Sequence, residues 1–274
     1  MIRNLSVLLL LVNMSLTGCK LSDVRTPAYL KAMKASDAEE KGMALMEKMK
    51  AAHKVENLAK YETIELDFRD TWHKLAFASP FPGDVGDFNI IYDPMNYDGR
   101  MEFDGPKKKG EVWGIYDWKT WLQKEGKEAK HKKIRKVWFW VPTYQYFAMF
   151  PAKIPDATYV RYAGKKTVKG KEYEVVFASW NTDAPQKKID QYLIYLDAAT
   201  YRVGIIEYTV RGVLPNAHGH AFYEDEFEFE GIPMAKTIRV ANVKGDFEEI
   251  SDMHTMEILG VKGNTAKKDV LKGK

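Results

Sequence analysis

The sequence predicts an α+β fold that is mostly β: an antiparallel meander preceded by one helix and interrupted by a second, aromatic-rich one. Three observations carry this. From Tyr61 onward apolar residues recur at every second position, the period of a strand with one face inward and one in water. The alternating runs are joined by short links rich in turn formers, among them "DAAT", "EGIP" and "KGD". Strands that follow one another through such links pair antiparallel.

The chain opens with Arg3, the apolar run Leu5 to Val12, and small or polar residues up to Gly18, the three-part layout of an export signal. The run covers only about 12 Å as a helix, against roughly 30 Å of hydrocarbon in a bilayer, so it is too short for an ordinary span. Residues 20–35 show no strong period and read as a linker. Ser36-Asp37-Ala38-Glu39 has the form of a capping box, which predicts a helix running to about residue 53 with Met43, Met46 and Met49 on its apolar stripe.

Strands are then expected at about 64–68, 88–92, 99–103 and 111–116, with "PFPGDVGD" and "DGPKKKGE" as turns. The stretch 134–150, "IRKVWFWVPTYQYFAMF", breaks the rhythm and reads as a helix interrupted by Pro142. Seven further strands are expected between Thr158 and Leu259. Within them Tyr192 to Leu196 is apolar on both faces, which predicts a strand covered on both sides.

Composition excludes some functions. Removing residues 1–18 takes away Arg3 and no acid, leaving 41 basic against 38 acidic side chains, so nucleic acid is not an expected partner. A single cysteine among 274 residues excludes an internal disulfide. No serine sits in a Gly-x-Ser-x-Gly elbow and no glycine-rich phosphate loop follows a strand, so no catalytic residues and no cofactor are assigned and an enzyme is not expected. His218 and His220 share one side of a strand near Glu224 and Asp225, but two imidazoles fall short of a zinc ligand set, and no metal site is assigned.

Leu16-Thr17-Gly18-Cys19 resembles the lipobox of bacterial lipoproteins. That resemblance implies that the Cys19 thiol receives diacylglycerol and that the peptide is cut before it. Lys20 in place of an aspartate then implies outer-membrane delivery, the domain facing the periplasm. Further on, "VVFASW" at 175–180, "DQYLIYLDAATYRVGIIEYTVR" at 190–211 and "GIPMAKTIRV" at 231–240, in this order of elements, resemble the LolA/LolB-like superfamily of lipoprotein-sorting factors.

The superfamily fold is an open, curved antiparallel half-barrel with an N-terminal helix and helices covering its mouth. The resemblance implies a concave hydrophobic face that accepts an acyl chain or another hydrophobic ligand; the ligand-lining candidates are Phe68, Trp72, Trp113, Trp138, Trp140, Phe147, Phe150, Tyr192 and Tyr195, with Tyr146 beside them. The divisions expected on this reading are a signal peptide at 1–18, a lipidated tether at 19–35, the half-barrel at 36–262 and a basic, solvated tail at 263–274. The expected partners are a membrane through the lipid anchor and the ligand itself. The alternative is an anchored protein-interaction module with a self-filled core and an envelope protein as partner. "SPFPGDV" at 79–85 is the candidate for the protruding apolar loop of the superfamily's outer-membrane receptor.

Overall fold

The computed structural model describes residues 21–74, 79–211 and 214–273. Cys19 and the lipobox lie outside the described residues. Two helices lead, α1 (Pro27–Met33) and α2 (Ala38–Ala52), followed by a 3-10 turn at Val55–Lys60. Six strands come next: β1 (Ile64–Trp72), β2 (Val85–Tyr92), β3 (Gly99–Phe103), β4 (Val112–Tyr116), β5 (Lys119–Gln123) and β6 (Lys130–His131). Helices α3 (Arg135–Ala148) and α4 (Phe150–Lys153) interrupt them. The last seven strands are β7 (Tyr159–Val168), β8 (Lys171–Ser179), β9 (Tyr192–Asp197), β10 (Val203–Val210), β11 (Leu214–Phe229), β12 (Ile232–Lys244) and β13 (Glu249–Gly263).

All thirteen join one antiparallel sheet in the order β6-β5-β4-β3-β2-β1-β13-β12-β11-β10-β9-β8-β7. The sheet is open: β6 and β7 are its two edges. The chain walks outward along β1 to β6, crosses to the opposite edge, and walks back from β7 to β13, which pairs with β1. The crossing segment is α3 and α4, and it takes the inner route. Val137, Val141, Tyr144 and Phe147, spaced as one helical face, are buried in the same core as Phe68, Phe88, Met101 and Ile115 of the sheet.

Inside α3, Pro142 removes one donor from the helical ladder, and the Thr143 hydroxyl donates to the Phe139 carbonyl at 2.6 Å one turn back. Helix α2 lies so close to β7 that a Cβ on Gly42 would stand 2.8 Å from the Arg161 carbonyl carbon, so no larger residue fits. A second, smaller core lies on the outer face of the returning arm. There Leu193 and Tyr195 of β9, Phe177 of β8 and Phe222 of β11 meet Val24, Tyr29 and Met33. The expectation of a strand covered on both faces therefore holds for β9.

Several expectations need correction. The stretch after residue 20 is docked: Ser22 donates to the Ala217 carbonyl at 3.0 Å and accepts from Arg211 at 3.1 Å, and Arg25 pairs with Asp183 at 3.0 Å. The N-cap of α2 is Asp37, without a side-chain capping bond, so Ser36 does not form the capping box. Met43 points to solvent, and Gly42, Leu45, Met46 and Met49 make the buried stripe. The basic end is packed too: Leu271 is fully buried, and its carbonyl accepts the Trp121 indole N–H at 2.8 Å. In the 79–85 loop Phe81 turns inward onto Phe88 and Phe103, in space left by Gly86, where a Cβ would overlap the ring. That loop does not present its ring to solvent.

Candidate functional site

The concave face has two halves that differ in filling. Along the outgoing arm it is solid with rings. Tyr144 of α3 packs on Phe68, Phe81 and Phe88 at centroid distances of 5.9, 6.5 and 4.6 Å, while Phe103 meets Trp113 edge-on at 4.7 Å. At the base of this half, Asp70 is fully buried and accepts three hydrogen bonds. The donors are Tyr144 Oη at 2.6 Å, Trp72 Nε1 at 2.9 Å and His254 Nδ1 at 2.9 Å, the last ring lying flat on Trp72 at 4.3 Å. The Asp70 carboxylate thus ties the crossing helix to β1 and β13.

Along the returning arm the face opens into a cleft of about 460 Å3, within the roughly 300–1,000 Å3 range of small-molecule sites. Its floor is apolar: Leu58 after α2, Met149 and Ala152 beside α4, Val203 on β10, and Ile232 and Met234 on β12. Its rim is charged, and most of the charges are matched, Asp225 instead accepting from the Thr237 hydroxyl at 3.0 Å. Lys171 pairs with Asp197 at 2.7 Å, Arg202 with Glu226, and Glu224 with Arg239 at 2.7 Å. Burial pushes the Asp197 carboxyl up, but the Lys171 ammonium and the Ala199 and Thr200 amides outweigh it and hold the carboxyl at about 2.

His53 forms one wall. It is the C-cap of α2, and its Nε2 accepts the Val203 N–H at 3.0 Å, while the rest of the ring faces the Pro233 carbonyl. Burial lowers its pKa to about 4, with Arg202 adding to the effect, so the ring is neutral at pH 7 and serves as an acceptor. Behind the cleft stand tyrosines. Tyr223 lines it and donates to the Phe147 carbonyl at 3.2 Å; its ring is 6.2 Å from Phe150, which is 5.9 Å from Tyr192. Burial raises the phenols of Tyr192 and Tyr223, which stay neutral.

None of the nine ligand-lining candidates borders the cleft. Phe147, Phe150 and Tyr192 stand one layer behind it, and Phe68, Trp72, Trp113 and Trp140 pack in the filled half. Trp138 is corrected: it lies on the outer side of α3, 47% exposed. Tyr195 is corrected as well. Side chains on a strand alternate, so residues 192 and 195 cannot share a face, and Tyr195 packs on the outer side against Tyr29 and Phe247. His218 and His220 face Glu207 at 3.7 and 3.5 Å, and among the described residues no cluster of three metal-binding side chains occurs.

His53 and Asp70 were not singled out from the sequence. A buried acid in a strand of alternating polarity, at the position where an apolar residue is due after Phe68, is the signal that marks Asp70.

No protein-family model matches the sequence, and no curated protein does. Solved structures share the fold. A domain from Vibrio parahaemolyticus described as an outer membrane lipoprotein-sorting protein superposes with a TM-score of 0.53 at 12% identity, over 85% of this chain and 99% of its own. A DUF1329 family protein from Desulfovibrio piger gives 0.54 at 11%, over 86% and 97%. A LolA superfamily protein from Nitrosomonas europaea gives 0.54 at 7%, over 84% and 96%. The chain has the LolA-like half-barrel fold.

Proposed function

We propose that this protein is a lipid-anchored envelope protein, held on the outer membrane through Cys19, that binds an acyl chain or similar hydrophobic ligand in its half-barrel. The observation that carries the binding is the cleft on the returning arm: an apolar floor under a rim of matched ion pairs suits a molecule with a long tail and a polar end. A tail that buries ten methylenes would gain about 8 kcal/mol at roughly 0.8 kcal/mol each. Ordering the tail and the rim side chains takes back part of this, leaving an affinity on the order of tens to hundreds of micromolar at best. Phe147, Phe150 and Tyr192, one layer behind the cleft, are the ligand candidates nearest to that tail. The LolA-like fold supports the reading, and the lipobox supplies the anchor and the address.

Uptake of a fluorescent fatty acid by the full chain tests it. Half-buried Ala152 lines the cleft at the edge of the core, so Ala152→Trp should fill the space and reduce uptake at least tenfold, with circular dichroism showing the fold retained. No uptake by the unaltered chain, together with no lipid in a solvent extract of it, would end the ligand reading. Mass spectrometry of the native product should find an acylated Cys19 at the amino terminus.

A second reading has its own support, because α3 fills the outgoing half of the concave face with the protein's own rings. On that reading the domain binds no ligand and meets an envelope protein. Crosslinking in membranes that recovers one stoichiometric partner, with an empty solvent extract, would favour it.

A further inference from the structure

Trp118 and Trp138 are 55% and 47% exposed and stand together at the end of the sheet where β4 turns into β5, and Met95, 65% exposed, lies two residues before Tyr97 in the link between β2 and β3. The Trp118 ring is 6.2 Å from Trp138 and 5.4 Å from Tyr97. The turn that displays Trp118 consists of Asp117 and Trp118 alone, with φ of 47° and 57°. A two-residue link with both residues left-handed is the geometry that Asn-Gly favours, so a bulky aromatic there is held against backbone preference. The Asp98 carboxylate fastens the turn by accepting the Asp117 N–H at 2.8 Å, and Lys119 pairs with Asp117 at 3.2 Å.

Charge surrounds this cluster unevenly. Residues 124–136, "KEGKEAKHKKIRK", hold seven lysines and arginines against two glutamates. Pairing of β6 with β5, and the Lys132 N–H donated to the Thr120 carbonyl at 3.1 Å, bring the end of that stretch beside the turn. Lys132, Lys133, Arg135 and Lys136 are all exposed; Arg135 and Lys136 lie within one helical turn before Trp138, and Lys132 and Lys133 immediately precede the helix.

We propose that this corner is a docking surface for an anionic lipid bilayer. Indole rings favour the depth of the headgroups, and lysines and arginines next to them are drawn to a negative leaflet. A second copy of the chain would bring the same basic stretch against itself, which like charge opposes. An acidic peptide would match the lysines but leave the two indoles and Met95 without an apolar medium. The proposal does not depend on Cys19 or on the cleft.

Tryptophan fluorescence of the full chain, added to vesicles whose lipids carry bromine on the acyl chains, tests this. Equal parts of phosphatidylglycerol and phosphatidylcholine should give quenching that disappears in phosphatidylcholine alone and weakens as salt is raised. Replacing Trp118 and Trp138 with phenylalanine should remove the quenched component, because the other indoles are deeper in the fold. Lys132→Gln with Lys133→Gln should weaken the partition roughly thirtyfold, from about 1 kcal/mol per basic side chain near the surface. These four side chains are exposed, and circular dichroism should show the fold unchanged. Quenching that is the same in the phenylalanine variant, or the same without phosphatidylglycerol, would overturn the proposal. So would a signal that follows protein concentration instead of lipid, the mark of self-association.

Discussion

The two arms of the sheet are covered differently. Outward side chains of β1 to β3 include Asp67, Arg69, Asp87 and Arg100, polar groups that make ion pairs on the surface, Arg69 with Asp87 at 2.8 Å, Arg100 with Glu102 and Asp67 with Lys262 at 3.7 Å. Outward side chains of β8 to β11 include Phe177, Leu193, Tyr195 and Phe222, sealed under Val24, Tyr29 and Met33. The outgoing arm therefore has its core on one face, the outer side being covered only at β4 and β5 by Leu271 over Trp121, and must fill that core, which the rings around Tyr144 do. The returning arm has a core on each face, and its inner face can remain open at one end without losing its hold. The cleft lies where the sheet is supported from behind.

The largest effect should come from breaking the filled half. Asp70→Ala leaves three buried donors without their acceptor on the arm that has no second core, and should cost about 4 kcal/mol in chemical denaturation. A loss under about 1 kcal/mol would mean that the outgoing arm does not depend on its inner face.

Next comes pH. The His53 pKa is near 4 when folded and near 6.5 when unfolded, so below pH 6.5 the unfolded chain binds the extra proton. Stability attributable to this ring is complete above pH 6.5 and is lost as pH falls to about 4, by up to about 3 kcal/mol. His53→Asn should remove that slope. A slope left unchanged would mean that the wall of the cleft does not need a neutral ring. The smallest effect is on the outer core: Tyr29→Phe removes the hydroxyl contact with Tyr195 at 3.2 Å and should cost about 1 kcal/mol, with fatty-acid uptake unaltered. Reduced uptake would couple the two faces that the comparison separates.

Much of this architecture is legible in the residues. Gly99–Phe103 and the strand beginning at Lys171 start where alternation predicts, and the aromatic stretch around Pro142 is a helix. What escaped is non-local. β5 is not announced because its turn from β4 is Asp117-Trp118, with neither glycine nor asparagine, and β6 is only two residues long. That α3 would cross inside the curve follows from the chain having to travel between opposite edges, which no local pattern encodes. Ring content cannot distinguish a wall from a plug, and the aromatics expected to line a hollow fill half of it instead. The cleft is made instead of Leu58, Val203, Ile232, Met234 and charged pairs, residues that are ordinary one at a time.

Ser22 is clamped between Arg211 and Ala217, only three residues beyond Cys19. Three extended residues reach about 10 Å. If Cys19 bears acyl chains, the body has almost no leash: the end of the sheet where β11 begins would ride next to the lipid, and the Trp118 corner, at the opposite end of the antiparallel strands, would face away from that bilayer toward another.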